Sequence, residues 1–150
     1  MAVAQDHWAA RWVATCDGDV PPNSFWEGDH AIGRGWYEGG LHVGYVSEGH
    51  RGLVIGYGGR EVVLREYEVL TGDKSHFHWV KCEGACRPQY FIPLKGGHEA
   101  DGRELYIGRT EHHGKDRIGK AGQHLINGMN YVHDGHETSA HHYYVFAFRT

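Results

Sequence analysis

The sequence repeats itself, and this repetition limits the folds that the chain can adopt. Trp12–Pro21 and Trp79–Pro88 each begin with Trp-Val and end with a proline at the same separation, at an offset of 67 positions. Further on, Ile32-Gly33-Arg34 recurs as Ile107-Gly108-Arg109 at an offset of 75. Landmarks that recur in one order indicate a duplicated structural unit.

More landmarks follow in the same order. They are Gly39 with Gly114, Gly44 with Gly119, Gly59–Glu61 with Gly135–Glu137, and Tyr67 with Tyr143. The growing offset means that the second copy carries eight extra residues just before its Ile-Gly-Arg. We therefore predict two degenerate tandem repeats, of about residues 12–70 and about 79–148.

Each repeat contains short apolar runs bounded by glycine. The runs have the length of ordinary strands, and they are Leu53–Ile55, Val62–Leu64, Tyr67–Leu70, Leu105–Ile107 and Tyr143–Phe148. Gly-Gly pairs at 39–40, 58–59 and 96–97 are expected to form turns. With 23 Gly, 9 Tyr and 5 Trp, the composition also favours strands joined by tight turns. These patterns predict an all-β fold.

The two repeats are expected to share one core. A glycine-rich unit of about 65 to 70 residues can bury little apolar surface by itself, whereas 150 residues suffice for a single domain without metals or disulfides. We therefore expect residues 1–150 to form one compact domain, in which the repeats pack with pseudo-two-fold symmetry.

The charge pattern argues against nucleic acid as a partner. The formal net charge is −4, from 15 Lys and Arg against 19 Asp and Glu, and no basic run is present. The long-range field that attracts phosphate backbones is therefore missing. No apolar stretch reaches the length that spans a bilayer, so membrane association is not expected.

The first ten residues and the cysteines bear on location. MAVAQDHWAA lacks the basic start and apolar centre of a signal peptide. Cys16, Cys82 and Cys86 cannot all pair within the chain, so we expect free thiols in a reducing compartment. Both points predict a cytoplasmic protein, or one that is released without a signal peptide.

The repeated motifs resemble those of a known family. The first copy reads WVATCDGDVP, IGRGWYEGG and GGREVVLREYEVL, and the second reads WVKCEGACRP, ELYIGRTEHHGKDRIGK and DGHETSAHHYYVF. Over about residues 12–150 this order is similar to that of the DM-nine repeat family, which occurs in tandem in small mannose-binding lectins. The resemblance implies a two-repeat all-β fold, a homodimer, and recognition of mannose-type glycans on microbial surfaces in innate defence.

The same resemblance implies a sugar site. In the family an acidic residue after a Gly-x step and the lysine of a Pro-Gly-Lys turn hold the sugar hydroxyls. Their positions here are Glu99, where aspartate is usual, and Lys120, whose turn has Ile118 in place of proline. In the first copy Tyr45 occupies the lysine position, and Asp29 is the nearest acidic candidate.

A carboxylate paired with an ammonium suits a sugar. The carboxylate accepts hydrogen bonds and the ammonium donates them, so together they satisfy neighbouring hydroxyls, which do both. Each bond contributes only about 1 to 3 kcal/mol, because hydroxyls leave good partners in water. A single site should therefore bind in about the millimolar to micromolar range, and several sites should act together on one glycan surface.

The sequence also contains partial motifs of a nucleotide site and of a metal site. Gly114–Lys120 has the spacing of a phosphate-binding loop, but Ala121 stands where that loop needs Ser or Thr, so nucleotide binding is rejected. The 14 histidines include the adjacent pair His112-His113 and a group near the C-terminus, at 133, 136, 141 and 142, but they show no metal-ligand motif such as HExxH. We expect no cofactor, no resident metal and no enzymatic activity.

The lectin hypothesis has two rivals. Repeats of this family accompany pore-forming domains in natterin-like proteins, which suggests a membrane-acting or toxin-associated module. The histidine-rich second copy suggests instead a metal-binding protein, since imidazole is a preferred ligand of zinc.

Overall fold

The computed structural model describes residues 8–47 and 51–149, and these residues form an all-β fold. The described chain has fourteen strands and one 3-10 turn, Lys74–His76. The strands are β1 (Ala10–Cys16), β2 (Trp26–Glu27), β3 (His30–Tyr37), β4 (Gly40–Ser47), β5 (Leu53–Tyr57), β6 (Arg60–Leu64), β7 (Glu66–Gly72), β8 (Phe77–Glu83), β9 (Lys95–His98), β10 (Glu104–His112), β11 (Lys115–Ala121), β12 (Met129–His133), β13 (His136–Ala140) and β14 (His142–Phe148). Each predicted apolar run lies within one of them, β5, β6, β7, β10 or β14. Within the described ranges no helix is long and apolar enough to cross a membrane.

The strand order has the symmetry of the sequence repeat. The hydrogen-bonded order is β1-β7-β3-β4-β5-β6-β13-β12-β11-β10-β14-β8. When this order is read inward from both ends, each strand of the first repeat is matched by the equivalent strand of the second repeat. At the centre of the order β6 pairs with β13, through Arg60 and His136. Strand β9 of the second repeat pairs with both β10 and β4, which ties the repeats together at a second place. The prediction of two degenerate repeats in an all-β fold is thus confirmed.

Four hairpins use the same tight turn. The two central residues of each turn have positive φ, and the second is always glycine, in Glu38-Gly39, Gly58-Gly59, His113-Gly114 and Asp134-Gly135. Positive φ at both positions is the geometry of the two-residue turn that matches strand twist. The predicted turn at 58–59 is confirmed. At 39–40 only Gly39 lies in the turn, because Gly40 begins β4.

The turn predicted at 96–97 is wrong, because Gly96 and Gly97 lie within β9. A Cβ on Gly97 would lie 1.9 Å from the carbonyl oxygen of Leu41, and one on Gly96 would lie 2.3 Å from Cγ2 of Val43. These glycines therefore let β9 approach β4 closely. Their role is to allow packing between the repeats rather than to reverse the chain.

The main core is built by both repeats. Its buried side chains from the first repeat include Ile32, Val43 and Val54, and those from the second include Ile107 and Phe146. Smaller apolar clusters lie on either side, one within each repeat. The symmetry-related strands thus face each other across one shared interior.

The arginines of the two Ile-Gly-Arg landmarks link the repeats. Arg34 donates through Nη1 to the carbonyl oxygen of Gly96 at 3.2 Å, and its guanidinium lies 4.2 Å from the centre of the Trp12 ring. Arg109 donates through Nη1 to Oε1 of Glu27 at 2.9 Å, and it lies 4.9 Å from the Trp79 ring. Each arginine therefore packs on the tryptophan of its own repeat and donates a hydrogen bond to a residue of the other repeat.

Replacing Arg109 with methionine is expected to lower the free energy of unfolding by about 1.5 to 3 kcal/mol, because it removes a charge-assisted bond to the buried Glu27 side chain. Urea unfolding of Arg109→Met measures the loss. The matched control is Arg103→Met, whose partner Asp101 is more than half exposed, and it should change stability by no more than about 0.5 kcal/mol. Equal effects from the two variants would contradict the linking role of Arg109.

Candidate functional site

Lys120 is buried where the two repeats meet. Strand β11 carries it, and only 5% of the residue is exposed. Its Nζ donates to Nδ1 of His42 at 3.1 Å and lies 5.6 Å from the centre of the Tyr57 ring, and both of these residues belong to the first repeat. Oε2 of Glu137, from the second repeat, lies 3.8 Å from Nζ. The lysine is therefore held by groups of both copies.

The environment keeps His42 neutral. Burial, followed by the positive charge of Lys120, lowers its pKa from 6.5 to about 4. Its Nδ1 can then accept the hydrogen bond from the lysine, and the imidazole adds no second positive charge beside Lys120. A buried neutral base thus orients the ammonium group.

Lys120 keeps donors for a ligand. Burial lowers its pKa, while Glu137 and then Glu99 act in the opposite direction. An ammonium has three N–H groups, and His42 accepts one of them. Glu137 forms an ion pair with Nζ at 3.8 Å, so His42 and Glu137 together leave at least one of the three N–H groups without a partner among the described residues.

Glu99 lies in the turn that follows β9. Its backbone N–H donates to the carbonyl oxygen of Arg103 at 2.8 Å, and its Oε2 accepts from Nε2 of His124 at 2.7 Å. About a fifth of its side chain is exposed. Its charge raises the pKa of both Lys120 and His42, so it acts on the same group of residues. The structure thus brings together the two residues of the second-copy site.

A cavity of about 300 Å³ lies beside His124. Its lining includes Arg103, Glu104, Tyr106 and Gln123, and the Tyr106 hydroxyl donates to Oε1 of Glu104 at 3.1 Å. Polar groups on a small concave surface suit a small hydroxylated ligand. The imidazole of His124 joins this cavity to the Glu99 carboxylate.

A larger cavity, of about 550 Å³, lies elsewhere on the first repeat. It is lined by residues that include Arg34, Trp36, Glu66 and Glu68, and Trp36 is 63% exposed. Nε of Arg34 already donates to Oε1 of Glu68 at 2.7 Å. Two of the charged groups that line this groove, Arg34 and Glu68, are therefore paired with each other.

The first-copy residues are arranged differently. Tyr45 is buried on β4 and its ring stacks on His30, with the ring centres 3.9 Å apart. Burial raises the pKa of Tyr45, and the Glu61 charge adds to this effect. Asp29 is exposed in the turn between β2 and β3, and in the described residues no hydrogen bond or ion pair joins it to Tyr45. The structure does not bring this pair together as it does Glu99 and Lys120.

Four further residues near Lys120 and Glu99 were not predicted from the sequence: His42, Tyr57, His124 and Glu137. Glu137 does belong to a repeated landmark, Gly-x-Glu, and this was the one available signal. His42 and Tyr57 come from the first repeat, so their approach to Lys120 depends on how the repeats pack. The sequence repeat alone gives no such information.

Two further predictions can be compared with the structure. Gly114 lies in a hairpin turn and Lys115–Ala121 is a strand, so the phosphate-loop spacing has no strand-to-helix context, in line with its rejection. Cys16, Cys82 and Cys86 are all free thiols, as expected.

The stability of the protein is expected to fall on acidification because of His42. The unfolded chain binds a proton at this residue near pH 6.5, whereas the folded chain does so only near pH 4, so the unfolded state gains protons first as the pH decreases. The contribution is fully present above pH 6.5 and is lost as the pH falls toward 4. Between about pH 7.5 and about pH 5 the loss from His42 should be about 2 kcal/mol.

Urea unfolding of the wild type and of His42→Gln at both pH values measures this difference. The glutamine carbonyl can still accept from Lys120, and the variant should show a pH dependence weaker by about 2 kcal/mol. The exposed His136→Gln is the control and should keep the wild-type dependence. An unchanged dependence in His42→Gln would contradict the burial of a neutral imidazole.

Comparisons with known proteins agree with the repeat architecture. A family model for the DM9 repeat matches residues 2–64 and 32–140. No curated protein matches the sequence significantly. Among solved structures, the crystal structure of the nematode sperm cell motility protein MFP2B is similar in fold, with a TM-score of 0.65 and 14% sequence identity. The match covers 93% of this chain and 44% of that one, so the chain spans less than half of the length of MFP2B.

Proposed function

Because the chain belongs to the DM9 repeat family, we propose that it is a lectin that binds mannose-type glycans and that it is not an enzyme. One observation carries this proposal: Glu99 lies close enough to Lys120 for its charge to raise the pKa of the lysine, whose ammonium has more N–H groups than His42 accepts. The ligand would be a sugar with two neighbouring hydroxyl groups, one of which accepts a hydrogen bond from the Lys120 ammonium while the other donates to the Glu99 carboxylate.

The surroundings of the two residues support such recognition. Nδ1 of His42 fixes one N–H of Lys120, and His124 fixes one oxygen of Glu99. The remaining donors of the lysine and the other carboxylate oxygen then have restricted directions. A site with directed donors and acceptors discriminates between hydroxyl orientations, because a mismatched hydroxyl leaves a buried polar group unpaired.

The second repeat is proposed to hold the principal site. In the first repeat Tyr45 offers one hydroxyl on a buried, stacked ring, and Asp29 stands apart in an exposed turn. Any sugar contact by these two residues would lack the ammonium donor of the second copy. We therefore propose one sugar per chain, at Lys120 and Glu99, and we propose Asp29 and Tyr45 only as separate, weaker contacts rather than as one paired site.

We also propose that the lectin acts as a homodimer on glycan-coated microbial surfaces. A single site held by a few hydrogen bonds should have millimolar to micromolar affinity, and two linked sites can raise the overall binding by about 10²- to 10⁴-fold. Light scattering in solution checks the dimer directly. The proposed place of action is the cytoplasm or, after release, the outside of the cell.

A glycan array followed by calorimetry with mannose tests the proposal. The wild type should bind mannose-type glycans with one mannose per chain, and Glu99→Gln should bind at least about tenfold more weakly, because it loses a charged acceptor. Glu83→Gln, at a carboxylate that is 70% exposed and faces His141 and His142, is the matched control and should bind as the wild type does. Absence of glycan binding in the wild type, or normal binding by Glu99→Gln, would overturn the proposal.

A further inference from the structure

Three histidines meet where β10 and β12 end. His112 and His113 end β10 and enter its hairpin turn, and His133 ends β12 at the next turn. One ligand nitrogen from each residue lies within 4.8 Å of the other two. The ring centre of His112 lies 4.2 Å from that of His113 and 4.0 Å from that of His133. The three imidazoles thus form one compact group.

One of these imidazoles is already oriented by a neighbour. Nδ1 of His112 is 2.8 Å from the hydroxyl oxygen of the buried Tyr131, while its Nε2 is buried and has no hydrogen-bond partner. We assign the proton to Nδ1, which donates to Tyr131 and leaves the lone pair on Nε2. Metal-bound histidines commonly donate their second ring nitrogen in this way, which fixes the tautomer and the ring plane.

The internal repeat shows that this cluster is not required by the fold. The equivalent turns of the first repeat place Tyr37 and Tyr57 together, with ring centres 5.1 Å apart at 81°. Two tyrosines fill that position by ordinary aromatic packing. The second repeat has His112 and His133 at the equivalent positions. It also has the exposed His113, and the Asp134 carboxylate lies 3.4 Å from Nε2 of His133.

We propose that His112, His113 and His133 form a binding site for a divalent transition-metal ion, with Zn²⁺ as the expected occupant. Imidazole nitrogen is a preferred zinc ligand, and three such ligands leave a fourth position for water. Zinc at about 2.05 Å from each nitrogen requires nitrogens about 3.4 Å apart. The three ligand nitrogens span at most 4.8 Å, so binding would draw them closer together, and the exposed His113 ring has the most freedom to move.

Calorimetric titration of Zn²⁺ into the full chain, prepared without a histidine tag and stripped with a chelator, tests this site. The wild type should bind one equivalent. His113→Asn, in which asparagine tolerates the left-handed turn conformation at φ 53°, and His133→Gln should each weaken binding at least about tenfold. Tyr131→Phe removes the group that orients His112, and it should also weaken binding by about 10- to 100-fold.

The matched control is the double variant His141→Ala and His142→Ala, which removes an exposed adjacent pair with ring centres 4.9 Å apart. It should bind Zn²⁺ as the wild type does. Circular dichroism of each variant verifies its fold. If a substitution at a more buried residue unfolds the chain, His113→Asn still tests the site, because His113 is an exposed turn residue. Lack of binding by the wild type, or undiminished binding by both His113→Asn and His133→Gln, would overturn the proposal.

Discussion

Replacing Gly119 with alanine is expected to prevent stable folding. A Cβ at this position would lie 2.0 Å from the carbonyl oxygen of Asn130 and 2.9 Å from its carbonyl carbon. These are backbone atoms of the neighbouring strand, so no side-chain rotation can relieve the overlap. The strands would have to separate, and we expect a loss of at least about 3 kcal/mol in the free energy of unfolding. Urea unfolding, or the yield of folded protein, measures the effect.

Two other glycines provide the comparison. Gly108 pairs directly with Gly119, but a Cβ there would meet the flexible Met129 side chain at 3.1 Å, so Gly108→Ala should cost only about 1 to 2 kcal/mol. Gly44 is the first-repeat counterpart of Gly119, and its Cβ would lie 2.0 Å from the carbonyl oxygen of Val54. Gly44→Ala should therefore be as damaging as Gly119→Ala. Similar stabilities for Gly108→Ala and Gly119→Ala would contradict the close strand approach.

Replacing Lys120 with methionine is expected to abolish measurable mannose binding. The substitution keeps the length of the side chain but removes the only charged donor that the proposal places against the sugar. A charge-assisted hydrogen bond contributes about 1.5 to 3 kcal/mol, which corresponds to about a 10- to 150-fold weaker affinity. If the wild-type affinity is millimolar to micromolar, a loss of this size makes mannose binding by the variant too weak for calorimetry to detect. Calorimetric titration with mannose therefore measures the effect.

The fold should survive this substitution. Removing one partner of a buried ion pair costs about 3 to 5 kcal/mol, and the loss here should lie below that range because the pair is 3.8 Å apart and Oε1 of Glu137 keeps its bond from the Gly59 N–H at 3.1 Å. Lys115→Met, at an exposed lysine on the same strand, is the matched control and should bind mannose normally. A folded Lys120→Met variant with wild-type affinity would show that the lysine has no part in binding.

Much of the fold could be predicted because local pattern and repetition point in the same direction. Apolar runs such as Leu53–Ile55 and Leu105–Ile107 became buried strands, since a short apolar stretch between turn residues has few other ways to bury its side chains. The exception was the pair Gly96-Gly97. A turn and a close strand crossing both require the absence of a Cβ, and a sequence does not distinguish between these two reasons for glycine.

The candidate site was predictable only within one repeat. Glu99 and Lys120 follow from the family motif, but the partner of the lysine, His42, comes from 78 positions away across the contact between repeats. The approach of His133 to His112 depends in the same way on two hairpin turns that lie side by side. Contacts of this kind are determined by strand order and packing, which residue spacing does not encode.

The fold by itself does not determine the function. MFP2B has a similar fold and is described as a sperm cell motility protein, and at 14% identity the likeness extends to the architecture alone. Folds of one type carry unrelated functions, so the chemistry of the site must carry the functional argument. Here that chemistry is the lysine and carboxylate pair between the repeats.

A crystal of the protein soaked in mannose tests this claim most directly. We expect density for one sugar per chain where the repeats meet, with hydroxyl groups within hydrogen-bond distance of both Nζ of Lys120 and the Glu99 carboxylate. Density confined to the Trp36 groove or to Tyr45, or no sugar density beside Lys120 and Glu99 at saturating mannose, would contradict this expectation.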